Sequence, residues 1–120
     1  EESVGTMKEL QDEGKVRHVG VSNVSVEQLA TARGIVEVVS VQNRYNLGDR
    51  DSADVLEVCQ RDGIAFIPWF PLGAGNIDVE PAEALAWLLE QDQVLPIPGT
   101  GSVAHLEENV EAARSAARDR

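Results

Sequence analysis

Apolar positions along the chain alternate between two spacings. In "SVGTMKELQDEGK", Val4, Met7 and Leu10 recur at helical intervals, and Gly14 is placed to end that helix. β-branched residues then crowd into "KVRHVGVSN", which predicts a strand from Val16 to Val21. Ser25 and Gln28 have the spacing of a capping box and open a helix over "VEQLATAR". "VEVVSVQN" predicts a second strand around Val38 to Val41. "DSADVLEVCQRDG" follows as a helix, with Val55, Leu56 and Cys59 on one face and Gly63 as its stop. "IAFIPWF" is a third strand, Ile64 to Phe70, and Pro81 suits the first turn of a helix over "EPAEALAWLLEQ". "VLPIPG" predicts a fourth strand from Val94, and a last helix runs from about Val103 to Ala117.

The order is therefore αβαβαβαβα. Strands separated by helices pair in parallel through right-handed crossovers. Strand starts at Val16, Val38, Ile64 and Val94 lie about 22 to 30 residues apart. Such intervals match the repeating unit of a (β/α)₈ barrel of roughly 250 residues. The expected fold is an α/β half of a TIM barrel, four parallel strands with about five helices, occupying residues 1–120. A four-stranded doubly wound sheet is the alternative, weakened by the lack of G-x-G-x-x-G after the first strand.

Composition narrows the partners. The net charge of −11 argues against nucleic acid and anionic membranes. No apolar run approaches the roughly 20 residues that span a bilayer, and no signal peptide is visible. A single cysteine, Cys59, excludes an internal disulfide and fits a reducing, cytoplasmic location. Its place on an apolar helical face marks it as a core thiol. Between Asp62 and Ala113 there is no Lys or Arg. An anion bound there would have to be held by backbone N–H groups and hydroxyls, or by basic groups from elsewhere.

In folds of this type ligands gather at the carboxyl ends of the strands. Those ends read "VSN" (Val21 to Asn23), "QNRYN" (Gln42 to Asn46), "WFPLGAG" (Trp69 to Gly75) and "PGTGS" (Pro98 to Ser102). Together they suggest a ligand-binding rim. Taken singly, Ser22-Asn23 reads equally as a turn into a helix, Trp69 as core, and Pro98-Gly99 as a plain turn. His18 reads as structural within the first strand. His105, in the first turn of the last helix, reads as either surface or phosphate-facing. Gln42 is a strand-end amide that needs a partner.

The segments "GKVRHVGVSNVSVEQL", "VQNRYNLGDR", "PWFPLGAG" and "LPIPGTGSVAHLEENV" resemble, in order, successive signatures of the aldo-keto reductases. The resemblance covers nearly the whole chain. It implies a TIM barrel that binds NADP(H), with NAD(H) as the alternative, and reduces a small aldehyde or ketone. By position it places Ser22, Asn23 and Gln42 at the nicotinamide carboxamide and stacks Trp69 on the nicotinamide ring. It puts Leu72 and Gly73 beside the pyrophosphate. Thr100 to Asn109, including His105, Glu108 and Asn109, falls at the adenosine end.

The family's catalytic Asp, Tyr, Lys and His belong to the first half of the barrel, which this sequence lacks. Tyr45 does not match the catalytic tyrosine. No catalytic or metal-binding residue is therefore expected here, and the chain alone is expected not to turn over. "NIDVEPAE" is shorter than the corresponding segment of the family. The positions that often carry the basic side chains gripping a 2′-phosphate correspond to Gly99 and His105. Two functions fit: the cofactor-binding C-terminal portion of a reductase, or a noncatalytic half-barrel that assembles with another chain or with itself. A half-barrel leaves strand edges unpaired, so the isolated chain is expected to self-associate or to be poorly stable.

Overall fold

A computed structural model describes residues 2–73 and 78–118. The elements are α1 (Glu2–Asp12), β1 (Val19–Ser22), α2 (Val26–Arg33), β2 (Val38–Gln42), α3 (Ala53–Asp62), β3 (Ala65–Phe66), α4 (Pro81–Leu89) and α5 (Val103–Arg118). Local signals act as expected. Ser25 and Gln28 form both halves of the capping box on α2. Pro81 begins α4. Gly63 ends α3 in the left-handed region, φ 69°, where a side chain would be strained.

The three strands form one parallel sheet in the order β1-β2-β3. Consecutive parallel neighbours with a helix between each pair make the βα repeat of a barrel rather than a hairpin array. Pairing of β1 with β2 slips by one residue between Val19 and Gly20. A Cβ on Gly20 would lie 2.3 Å from Ser40 Oγ and 3.2 Å from the Ser40 carbonyl oxygen, so a larger residue here requires the Ser40 hydroxyl to rotate away.

Strand extents correct the sequence reading. Residues 15–18 are not strand. The Lys15 and Val16 amides turn back to the Leu10 carbonyl (2.9 and 3.2 Å), and His18 is exposed ahead of β1. The third strand is limited to Ala65 and Phe66. The expected fourth strand shrinks to one parallel bridge between Val94 and Phe66, with Phe66 N–H on the Gln93 carbonyl (2.7 Å) and Leu95 N–H on the Phe66 carbonyl (2.8 Å). In a parallel ladder the next bond on that side would run from residue 68 to Leu95. Residue 68 is proline and has no N–H to give.

One core joins the sheet to the helices. Val19, Val41 and Phe66 from the strands pack with Leu29 of α2, Leu56 and Cys59 of α3, and Leu88 of α4. Fully burying a side chain such as Phe or Leu is worth roughly 1.5–3 kcal/mol, so this layer carries much of the fold. Helix α5 lies along α4 but contributes no buried residue. Leu95, Ile97, Leu106 and Val110, at the sheet edge beyond β3 and on α5, remain exposed.

Candidate functional site

Parallel strands all end on the same side, so the loops after β1, β2 and β3 converge. Ser22 ends β1 opposite Gln42 of β2. The Gln42 carbonyl accepts from Ser22 Oγ (2.8 Å) and from the Asn23 amide (2.9 Å). Asn23 leaves the strand in the left-handed region, φ 54°, which asparagine tolerates better than most residues. Its Nδ2 donates to Ser22 Oγ (3.0 Å), and its Oδ1 accepts from the indole N–H of Trp69 (2.9 Å). Four of the expected residues, Ser22, Asn23, Gln42 and Trp69, thus form one hydrogen-bonded group. Gln42's own side-chain amide is half-buried and has no partner among the described residues.

Residues that the sequence reading passed over hold this group in place. Asn43 is buried. Its Nδ2 donates to the Val24 carbonyl (2.8 Å) and Ser52 Oγ (3.2 Å), while its Oδ1 accepts from Val24 N–H (3.0 Å). It fastens the loop after β1 to the end of β2. Asn46, also buried, donates to the Phe70 carbonyl (3.1 Å) and accepts from Gly48 N–H (2.9 Å). Phe70 has φ 58°, an uncommon conformation for a bulky residue, and its carbonyl also receives Gly73 N–H (3.1 Å). Arg44 pairs with Asp49 (2.9 Å), and its guanidinium lies 5.0 Å from the Phe70 ring centroid and 5.9 Å from that of Trp69. The available signal was the repeated amide in "QNRYN": two asparagines flanking an aromatic just past a strand need partners once buried.

Tyr45 is buried. It meets Phe66 edge-on and stacks on Trp87, and its hydroxyl reaches Gln91 Oε1 at 3.4 Å. Burial raises its pKa, with the nearby Arg50 charge opposing. The same cause pushes the buried Cys59 thiol up to about 11, which keeps it protonated and unreactive.

The remaining expected residues divide. Half-buried Leu72 and exposed His105 line one groove of about 660 Å³ with Phe70, Ile97, Pro98 and Gly99. That volume lies in the range of ligand pockets. Gly73, buried and with φ 59°, closes the described part of the loop. Ala74 and Gly75, the end of the expected strand-end motif, and the first two residues of "NIDVEPAE" lie outside the described residues. At the corner before α5, Thr100 Oγ1 accepts from Ser102 N–H (3.1 Å), and Ser102 Oγ accepts from His105 N–H (3.4 Å). These hydroxyls shape the turn and cap α5. Glu108 lines a different groove, against α4 with Glu90 and Glu111. Asn109 lines a third, with Leu85, Leu95 and Pro98. Neither shares the groove of His105.

Residues 1–82 match the family model described as Aldo/keto reductase family. The chain belongs to the aldo-keto reductase family. A pyridoxine 4-dehydrogenase of Escherichia coli is 42% identical over 93% of this chain and 44% of its own length. An uncharacterized oxidoreductase of Schizosaccharomyces pombe is 45% identical over 87% of this chain and 39% of its own. The chain spans less than half the length of the curated relatives it matches. Among solved structures, an aldo-keto reductase from Klebsiella pneumoniae in complex with NADPH superposes with TM-score 0.81 at 26% identity, over 92% of this chain and 47% of that one. A thermostable aldo-keto reductase bound to the inhibitor epalrestat gives TM-score 0.86 at 30% identity, over 92% and 48%. Ser22, Asn23, Gln42, Trp69, Leu72 and Gly73 fall inside the family match, whereas Thr100 to Asn109 fall beyond it. No helix among the described residues is long and apolar enough to cross a membrane.

Proposed function

We propose that this chain is the C-terminal, cofactor-binding portion of an NAD(P)H-dependent aldo-keto reductase barrel that reduces a carbonyl to an alcohol. The observation that carries it is the group Ser22–Asn23–Gln42–Trp69, assembled at the ends of three parallel strands with one side-chain amide, that of Gln42, left free among the described residues. A primary carboxamide needs both a donor and an acceptor, and a free Gln supplies both. Trp69 offers a flat apolar surface for the nicotinamide ring. These residues fit a bound nicotinamide cofactor, which would supply the hydride. The chain's own part is to orient that ring.

The proton for the carbonyl oxygen comes from outside these 120 residues. The chain's single tyrosine, Tyr45, is buried against Phe66 and Trp87, and its two lysines pair locally with Asp12 and Glu13. The groove shared by Leu72 and His105 takes the phosphates, with Thr100, Glu108 and Asn109 toward the adenosine. With no Lys or Arg between Asp62 and Ala113, a 2′-phosphate gains dipole attraction worth a few tenths to about 1 kcal/mol and no bidentate arginine contact. NADPH and NADH are then bound with similar strength.

The test is titration of the full chain with each cofactor. Saturable binding of both, weakened by Gln42→Ala and Trp69→Ala, supports the proposal. His105→Arg is expected to tighten NADPH alone. No saturable binding of either cofactor would overturn it. Once the first half of the barrel is supplied, the name of the Escherichia coli relative makes pyridoxine the first alcohol to assay, in the oxidative direction. A second function, a noncatalytic half-barrel that self-associates, is favoured by one observation: the exposed run of Leu95, Ile97, Leu106 and Val110 beside a single-bridge sheet edge. Oligomerisation without cofactor binding would select it.

A further inference from the structure

Helix α5 carries charge in two blocks. Glu107 and Glu111 lie in its first half, Arg114 and Arg118 in its second. At about 3.6 residues per turn, their spacing of four, three and four puts all of them on one narrow stripe. All are exposed, and none makes an ion pair among the described residues, although Glu111 and Arg114 are close enough in sequence to do so. The helix dipole does not account for the placement, because it acts on the first and last turns. The first turn of α5 holds no acidic residue, and of the two arginines only Arg118 lies in the last turn. Within the helix the stripe is unfavourable: Glu107 and Glu111 are a like-charged pair at i,i+4, and so are Arg114 and Arg118.

The charges are opposite in sign about one point. Glu111 and Arg114 lie equally far on either side of the Ala112–Ala113 bond, and so do Glu107 and Arg118. We propose that this stripe is an interaction surface for a second copy of the chain, with α5 docked antiparallel to α5 across a two-fold axis at Ala112–Ala113. That arrangement sets Glu111 against Arg114 and Glu107 against Arg118, each pair occurring twice. It is the self-complementary patch that an isologous contact requires. A parallel copy would oppose like charges along the whole stripe. Ala104 and Ser115 flank the stripe and are small, so the helix axes can approach to the short end of the usual range of about 8–10 Å. One pair of helices about 24 Å long buries less than the roughly 1,200 Å² of a standard interface, so the dimer is weak and concentration-dependent. The surface is separate from both functions above. None of the four charged residues lines the groove of Leu72 and His105, and none belongs to the exposed apolar run of Leu95, Ile97, Leu106 and Val110.

The experiment is sedimentation equilibrium of the full chain at about 0.15 M salt, where a Debye length of about 8 Å screens the repulsion between two chains of net charge −11. One variant makes the stripe wholly acidic, Arg114→Glu with Arg118→Glu. The other makes it wholly basic, Glu107→Arg with Glu111→Arg. The unsubstituted chain is expected to show a monomer–dimer equilibrium. Each variant alone is expected to dimerise at least about tenfold more weakly, and an equimolar mixture of the two to recover the unsubstituted strength. An unsubstituted chain that stays monomeric up to about 1 mM overturns the proposal. Variants that associate as well as the unsubstituted chain also overturn it, and move self-association to the apolar edge of Leu95 and Ile97. A mixture no stronger than its components does the same to the charge pairing. Should a variant not fold, cross-linking decides. In the antiparallel pair, Ser115→Cys brings two thiols within about 8 Å along the helix axis, whereas Ala104→Cys keeps them about 26 Å apart. A short bismaleimide is expected to join the first pair and not the second, and equal or reversed yields overturn the proposal. Cys59 is buried and its thiol is pushed up to about 11, so it stays out of the reaction.

Discussion

The ends of β1–β3 and the corner before α5 are both polar turns at strand ends, yet they are held in opposite ways. At the first, the bonds are long-range. Asn43 joins segments 19 residues apart, Asn46 reaches 24 residues on to Phe70, and Trp69 reaches back 46 residues to Asn23. At the second, Thr100 and Ser102 bond only two or three residues along the chain. Below the first site lies the shared core, whereas α5 has no fully buried residue and leaves Val103 73% exposed. The contrast teaches where this chain is preorganised. The nicotinamide end of the proposed site is cross-braced by the sheet itself, and the adenosine end is a locally capped turn on a less anchored unit.

The strongest way to break this contrast is Asn43→Ala. It leaves the Val24 amide and carbonyl without their partner, and a loss of roughly 2–4 kcal/mol in unfolding free energy is expected. Urea denaturation measures it, and labelling of the buried Cys59 thiol, slow in the native chain, should speed up in parallel. A loss below about 1 kcal/mol would show that the loop after β1 is held by something else. At the other site Ser102→Ala removes a helix cap and should cost about 1 kcal/mol, largely restored by Ser102→Asp, whose charge also suits the helix dipole.

Smaller again is Leu106→Ser on the exposed face of α5. Unfolding free energy should change by less than about 0.5 kcal/mol. If the apolar edge mediates self-association, the same substitution lowers the apparent mass in sedimentation or light scattering. The smallest effect concerns Asp62, which is remote from both sites. Hydrogen bonds from Arg61 and then Arg33 hold its carboxyl well below the usual carboxylate range. A depressed folded-state pKa gives stabilisation that is present above the ordinary carboxylate pKa and lost as pH falls toward the folded value. Asp62→Asn should flatten the acid limb of a Tm-against-pH curve at low salt, with little difference at high salt, because exposed pairs are screened. Unchanged acid limbs in both salts would remove this ion pair from the account.

Much of the fold was legible beforehand because its signals are local. Helix periodicity, the Ser25–Gln28 box, Gly63 and Pro81 each act within a turn or two of the chain. Strand lengths were less legible. "IAFIPWF" and "VLPIPG" look strand-like residue by residue, but whether each pairs depends on which neighbour faces each N–H. Likewise "VSN", "QNRYN" and "WFPLGAG" point to a rim, and the amides of "QNRYN" call for partners, but which segments supply them to Asn43 and Asn46 is fixed only by the fold.

What the sequence by itself determined is the βα alternation, the family, and the residue types at the strand ends, since all of these depend on short-range pattern. Tertiary structure alone decided three things. It stopped the fourth strand at one bridge, because Pro68 sits where the ladder needs a donor. It slipped β1 against β2 at Gly20, where the Ser40 hydroxyl fills the space a Cβ would take. It also turned Asn23 toward Trp69. Each outcome depends on sheet twist and register bringing distant segments to hydrogen-bonding distance. Those are properties of the assembled strands rather than of any one stretch of chain.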